Sequence, residues 1–222
     1  MDILVVSGGR LDQSALAFFK KEQLVIAVDG GLKFCYENHI PVNYVVGDFD
    51  TIEPQILAYY KQQERTEIRT YPPEKDMTDT KAALELAVEL AKRFSKEDKK
   101  AADILMLGGI GSRMDHTLAN IGCLMYTLKN GVFMKMIDSH NCMYAYQQSF
   151  AIEKKHLTYK KYLSLLAIEG EVRHLTIRGM KYEREDITLP LLSDWGVSNE
   201  LLGEQAEIDF SEGTLLVIES RD

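Results

Sequence analysis

Val45-Val46-Gly47-Asp48-Phe49-Asp50-Thr51 is the stretch from which the rest of the chain can be read. Two β-branched residues run into a glycine, and two carboxylates follow two positions apart. An apolar run that turns polar reads as a buried strand ending at a loop. On extended chain, residues two apart point to the same side, so Asp48 and Asp50 are expected to converge on one point. Two carboxylates held together repel unless a proton or a cation lies between them. An all-oxygen, doubly anionic pair suits Mg2+, with phosphate oxygens completing its shell. The plainer alternative is an ordinary loop in which Asp50 or Thr51 caps the helix that Pro54 and Ile56-Leu57 announce.

The same grammar recurs on both sides of this stretch. Ile3–Val6 reads as a strand, followed by Ser7-Gly8-Gly9 and a helical pattern at Leu11, Ala15, Phe18 and Phe19. Glycines between a strand and a helix let backbone N–H groups approach an anion, although they also serve any tight turn. Leu24–Val28 repeats the unit and ends in Asp29-Gly30-Gly31, before a helix through Phe34 and Cys35. After Asn43–Val46 a helix is expected from about Glu53 to Gln62, then a short strand at Ile68–Tyr71. The segment opening at Glu74-Lys75-Asp76-Met77-Thr78-Asp79 starts the clearest helix, with Ala83, Leu86, Leu90 and Phe94 on one face. Acidic residues in a first turn complement the helix dipole, whereas Lys75 there is explained by a phosphate ligand. A solvated charged loop is expected over Ser95–Asp103.

Ile104–Leu107 is a further strand, and Gly108-Gly109-Ile110-Gly111-Ser112-Arg113-Met114-Asp115-His116 follows it. The glycine spacing does not fit the dinucleotide fingerprint. Arg113 suits bidentate phosphate binding, and His116 reads as structural. The next helix runs through Leu118, Ile121, Met125 and Leu128 and closes at Asn130-Gly131, before a strand at Val132–Ile137. Strands alternating with helices imply a parallel sheet covered on both faces, with ligands at the carboxyl edge. Asp29, Asp48, Asp50, Asp76, Asp79, Arg113 and Asp115 all fall at that edge.

From about residue 140 the pattern changes to short β-type runs at Cys142–Tyr146, Tyr162–Ile168, Arg173–Arg178, Ala206–Phe210 and Thr214–Ile218. The expected organisation is an α/β domain of mainly parallel sheet (Rossmann-like) over 1–140 and an all-β sandwich over 141–222. The longest loop, Lys181–Gly203, carries the only tryptophan, Trp195, ahead of Gly196-Val197-Ser198-Asn199-Glu200. A Trp in such a loop can stack on a heteroaromatic ligand.

Composition narrows the function. Apolar residues make up 45% of the 222 positions, enough for an ordinary core, and the formal charge is −8. That charge argues against a nucleic-acid partner, which needs clustered Lys and Arg. Cys35, Cys123 and Cys142 show neither disulfide nor zinc spacing. No signal peptide or membrane span is expected, and the protein is placed in the cytoplasm.

Asp29-Gly30-Gly31, Gly47 to Thr51, Lys75 to Asp79, Gly108 to His116, Gly179-Met180-Lys181-Tyr182 and Gly196 to Glu200 occur in the order found in the thiamine pyrophosphokinase family, which the sequence resembles over almost its whole length. Val28, Thr51 and Glu183-Arg184 depart from the family's usual residues. The resemblance implies an α/β catalytic domain, a β-sandwich thiamine-binding domain and a homodimer with sites at the interface. It implies transfer of the terminal diphosphate of ATP to the thiamine hydroxyl, releasing AMP. Carried over by position, Asp48, Asp50 and Asp79 would hold Mg2+. Lys75 and Arg113 would contact phosphate, with Asp29 and Asp76 supporting. Ser7, Gly8, Gly9, Gly30, Gly31, Gly109, Gly111 and Ser112 would cradle ATP. Asp115, Ser198 and Asn199 would contact thiamine, with Trp195 beside them, and Asp115 or Asp76 would take the hydroxyl proton. Two rivals remain: a Mg-dependent phosphohydrolase using Asp48 as nucleophile, and a non-catalytic nucleotide- or thiamine-sensing module.

Overall fold

The strands of the first half are short and apolar, as expected where both faces of a sheet are covered. They are β1 (Ile3–Val6), β2 (Leu24–Val28), β3 (Tyr44–Gly47), β4 (Glu67–Thr70), β5 (Ile104–Leu107) and β6 (Met134–Ile137). The computed structural model describes residues 2–50, 52–71, 76–98 and 101–222. It divides into two units, Met1–Ser139 and His140–Asp222. In the first, all strand pairs are parallel, in the order β4-β3-β2-β1-β5-β6. The chain winds outward from β1 to β4 and then returns to β5 on the other side of β1. Right-handed crossovers therefore place the helices before and after the return on opposite faces. Accordingly α1 (Gly30–Glu37) packs with α2 (Pro54–Lys61), while α3 (Asp79–Asp98) packs with α4 (Met114–Lys129) and lies across β1, β2, β3 and β5.

The return creates a switch point between β1 and β5, where a crevice opens at the carboxyl ends of the strands. The two loops leaving these strands interlock. Gly9 N donates to Gly108 O at 2.9 Å, and Arg10 N to Ile110 O at 2.7 Å. A Cβ on Gly9 would run into the Gly108 carbonyl, and one on Gly108 would run into that of Ser7. Gly108 also has φ +68°, a region that costs any L side chain.

Several elements differ from the sequence reading. The segment after β1 is a 3-10 turn, Gln13–Phe18, not an α-helix; Asp12 caps its start through Ser14 N and Phe19 is already extended, so the segment closes before an α-helix develops. α3 starts at Asp79, so Asp76 precedes it, and it continues to Asp98 through much of the expected charged loop. Its Arg93–Glu97 pair at 3.0 Å shows why a charged segment can remain helical. α4 buries Thr117, Asn120, Cys123, Leu124 and Met125; of the expected face Met125 is buried, but Leu118 is 62% exposed, because the end of the helix nearest the cleft turns its polar side inward.

The second unit holds two antiparallel arrays, as expected of a sandwich. β7 (Asn141–Tyr146) and β9 (Tyr162–Ala167) flank β13 (Leu215–Ser220). β11 (Arg184–Leu189), β10 (Val172–Arg178), β12 (Gln205–Asp209) and β8 (Phe150–Glu153) form the other, in that order. β12 alternates cleanly, burying Ala206 and Ile208 and exposing its neighbours. β8 and β11 were not foreseen. Both are edge strands with charged or exposed residues, so they bury too little to leave an apolar alternation.

The interlock predicts opposite outcomes for two glycine-to-alanine substitutions. Gly108→Ala should destabilise the protein by about 1–3 kcal/mol. Gly122→Ala, on the exposed side of α4 with nothing near its added methyl, should stabilise it by about 0.5–1 kcal/mol. Urea unfolding of the two variants checks both.

Candidate active site

A cleft of about 800 Å3 lies at the switch point of the first unit. Its floor is the interlocked pair of loops, represented by Ser7, Gly8, Gly9, Gly108, Gly109, Gly111 and Ser112. Gly30 closes one side, its α-carbon lying so near Gly8 that an added Cβ would meet backbone at 3.2 Å. Gly31 does not line the cleft; it lets α1 pack on the carbonyl of Val6. Those loop glycines thus answer a packing demand as well as any ligand demand.

Two helices point their N-termini at this cleft. Thr78 caps α3, its hydroxyl accepting from Lys81 N at 3.2 Å. Thr80, in the first turn, meets Ser7 in a buried hydroxyl–hydroxyl hydrogen bond of 2.9 Å, tying α3 to the loop after β1. α4 starts at the far side of the cleft, with Arg113, His116 and Asn120 on its wall. Two converging helix N-termini favour an anionic ligand.

The side chains oppose that preference. Asp29, Asp76 and Asp79 all line the cleft, against Arg113. Asp29 has a strained backbone, φ 40° and ψ −116°, and its carboxylate lies where a Cβ on Gly47 would be. Gly47 is therefore glycine because Asp29 occupies its side-chain space. This links the cleft to the Asp48–Asp50 loop, which does not itself line it.

The carboxylate pair is held differently from the extended arrangement expected. Phe49 has φ 64°, so the chain turns between the two aspartates, and Asp50 N donates to Asp48 Oδ1 at 3.2 Å. Among the described residues no three His, Cys, Asp or Glu side chains form a ready-made metal cage, Asp48, Asp50 and Asp79 included. The donor set nonetheless fits Mg2+, which takes one or two carboxylates and fills its remaining positions with phosphate oxygens and water. Lys75 and Thr51 lie outside the described residues.

Arg113 and Asp115 are paired with each other, Nη2 to Oδ2 at 2.6 Å, with side chains 69% and 64% exposed. Hydrogen bonding from the guanidinium holds the Asp115 carboxyl down to about 2. Asp115 does not line the cleft.

In the second unit, Trp195 is 58% exposed, in a 3-10 turn capped by Ser193. Ser198 is exposed with φ 56°. Asn199 is only 3% exposed. Its side chain accepts from Tyr182 N and Glu200 N and donates to Tyr182 O, each at 2.9 Å. Asn199 thus braces the loop that carries Ser198.

The sequence reading missed Thr78, Thr80, Gly108 and Asn120 as cleft residues. The available signal was polarity on helix faces that otherwise run apolar, at Thr80 before Ala83 and at Asn120 before Cys123 and Leu124.

Two family descriptions match the chain: "Thiamin pyrophosphokinase, catalytic domain" over residues 15–136 and "Thiamin pyrophosphokinase, vitamin B1 binding domain" over residues 149–215. A curated thiamine pyrophosphokinase from Bacillus subtilis is 30% identical over 224 residues, spanning 99% of both chains. A solved thiamine pyrophosphokinase from Bacillus subtilis matches all of both chains at TM-score 0.85 and 28% identity. A solved thiamin pyrophosphokinase family protein from Enterococcus faecalis does so at TM-score 0.80 and 29% identity.

The Arg113–Asp115 pair sets a pH expectation. Because the folded pKa is depressed from 3.8 to about 2, the pair is complete at neutral pH and is lost only as pH falls through that lower value. NMR titration of the Asp115 carboxyl should show the low midpoint, and Arg113→Met should return it to the ordinary carboxylate range.

Proposed function

The chain belongs to the thiamin pyrophosphokinase family, and from that premise we propose that the switch-point cleft takes ATP and delivers its terminal diphosphate to the hydroxyl of thiamine, releasing AMP. The observation that carries this reading is a single cleft joining two helix N-termini, a backbone-lined floor and an acidic rim. The first two suit phosphate, and the third suits a phosphate-bound cation. The match of both units, catalytic and vitamin B1-binding, sets aside the phosphohydrolase and sensor alternatives.

Transfer of this kind depends on positioning and charge neutralisation more than on covalent chemistry. Asp48, Asp50 and Asp79 would hold Mg2+, whose part is to neutralise phosphate charge. Asp29, wedged against Gly47, fixes the Asp48–Asp50 loop relative to the cleft. Arg113 offers its planar fork to phosphate oxygens, and Lys75 adds a second cation. The loops holding Gly8, Gly9, Gly30, Gly109, Gly111 and Ser112 form the floor on which the triphosphate lies.

The thiamine hydroxyl must lose its proton to a nearby base. Asp115 is poorly placed for it, since its side chain does not line the cleft. Asp76, on the cleft wall, takes that role. Trp195 stacks on a thiamine ring, Ser198 hydrogen-bonds it, and Asn199 braces the loop that carries Ser198 through Tyr182 and Glu200.

A homodimer with sites at the subunit interface accounts for a further feature. Leu191, Leu192, Trp195, Val197 and Leu202 are 54%, 66%, 58%, 45% and 69% exposed along one loop. Apolar surface concentrated in this way is typical of a covered face. Three free, buried cysteines support a reducing compartment, the cytoplasm, and among the described residues no helix is long and apolar enough to cross a membrane.

Incubation with thiamine, ATP and Mg2+ should yield AMP and thiamine diphosphate in equal amounts. Production of ADP with thiamine monophosphate would contradict the diphosphate transfer. Asp79→Asn should lower turnover by about 100-fold or more while leaving the unfolding midpoint near that of the parent chain.

A further inference from the structure

The face of α4 that turns inward is polar where the helix meets the cleft. Thr117 and Asn120 are each 5% exposed, while Met114 and Leu118 on the same helix are 63% and 62% exposed. This inverts the usual amphipathic arrangement and needs a cause. The buried pair supplies one. Thr117 Oγ1 accepts from Gly111 N at 3.3 Å and donates to Arg113 O at 3.2 Å. Asn120 Nδ2 donates to Gly109 O at 2.8 Å.

The loop they hold is the one after β5, which is fixed from its other side by Gly9 N on Gly108 O and Arg10 N on Ile110 O. It is therefore gripped from both sides. Thr117 also ties Gly111 to the backbone of Arg113, so one hydroxyl sets the spacing between the glycine loop and the phosphate-directed arginine. Asn120 reaches the cleft wall as well as Gly109.

We propose that Thr117 and Asn120 are positioning residues for the nucleotide: they hold the Gly108–Arg113 loop in the shape that receives the phosphates of ATP before ATP arrives. This deepens the reading of the cleft as the ATP site and rests on it. A loop set in advance does not have to be ordered by the ligand, so the effect belongs in nucleotide affinity. Thiamine affinity should be nearly untouched.

The test compares Thr117→Val, Thr117→Ser and Asn120→Ala by calorimetric titration with ATP, by KM for ATP and for thiamine, and by hydrogen exchange of the Gly111 amide. Valine keeps the shape of threonine and removes the hydroxyl. Thr117→Val and Asn120→Ala should each weaken ATP binding about tenfold, the usual consequence of one lost buried hydrogen bond, with the KM for thiamine changed by less than about twofold. Thr117→Ser should restore ATP affinity and the protection of the Gly111 amide lost in Thr117→Val. Unchanged ATP affinity in folded Thr117→Val would overturn the proposal. So would a loss of ATP and thiamine binding in equal proportion, tracking the folded fraction. If Thr117→Val does not fold, Asn120→Ala decides by the same split. ATP binding is read without turnover, so a parent chain that binds ATP but makes no AMP would count against the reaction and not against the positioning role.

Discussion

Two loops cross at the end of β1 and β5 with their backbones in hydrogen-bonding contact, and most of the cleft depends on that crossing. Side chains at Gly9 or Gly108 would occupy the space of a neighbouring carbonyl. The hydrogen bonds from Gly9 N and Arg10 N then join the loops into one floor. A parallel sheet in which the chain winds out and returns beside its first strand brings two loops together only at this place. The position of the site is thus a consequence of strand order, and the glycines are its steric condition.

The remaining parts attach to this floor through buried polar contacts. Thr80 ties α3 to the first loop through Ser7, and Thr117 and Asn120 tie α4 to the second. Asp29 reaches sideways to Gly47 and joins the floor to the Asp48–Asp50 turn. Each contact costs desolvation and returns it through a partner. Their common effect is to set helix N-termini and carboxylates around one volume before any ligand is present, which is the condition for electrostatic stabilisation of a transferring phosphate group.

The sequence displayed the strands and the sheet class well because β1, β2 and β5 are buried on both faces and carry continuous aliphatic runs. It displayed the site through its glycine- and aspartate-bearing loops, and the family resemblance rested on those same loops. It concealed what was set by tertiary contact. β8 and β11 are edges with little to bury. The turn at Phe49 comes from a backbone conformation that no residue type there announces. The inward face of α4 could not be read from periodicity, because its polar residues Thr117 and Asn120 satisfy the loop just before the helix while Leu118 is left outside. The bracing part of Asn199, whose amide engages the backbone of Tyr182 and Glu200, likewise left no mark in the sequence.

The central claim is that the switch-point floor is where the nucleotide lies. Backbone amide shifts recorded while a non-hydrolysable ATP analogue and Mg2+ are added to the full chain test it most directly. The account predicts the largest changes at Gly8, Gly9, Gly30, Thr80, Gly109 and Gly111, with saturation at a single affinity. Saturable changes confined to residues at the amino ends of the strands, such as Asn43 and Tyr44, with these six amides unmoved, would contradict it.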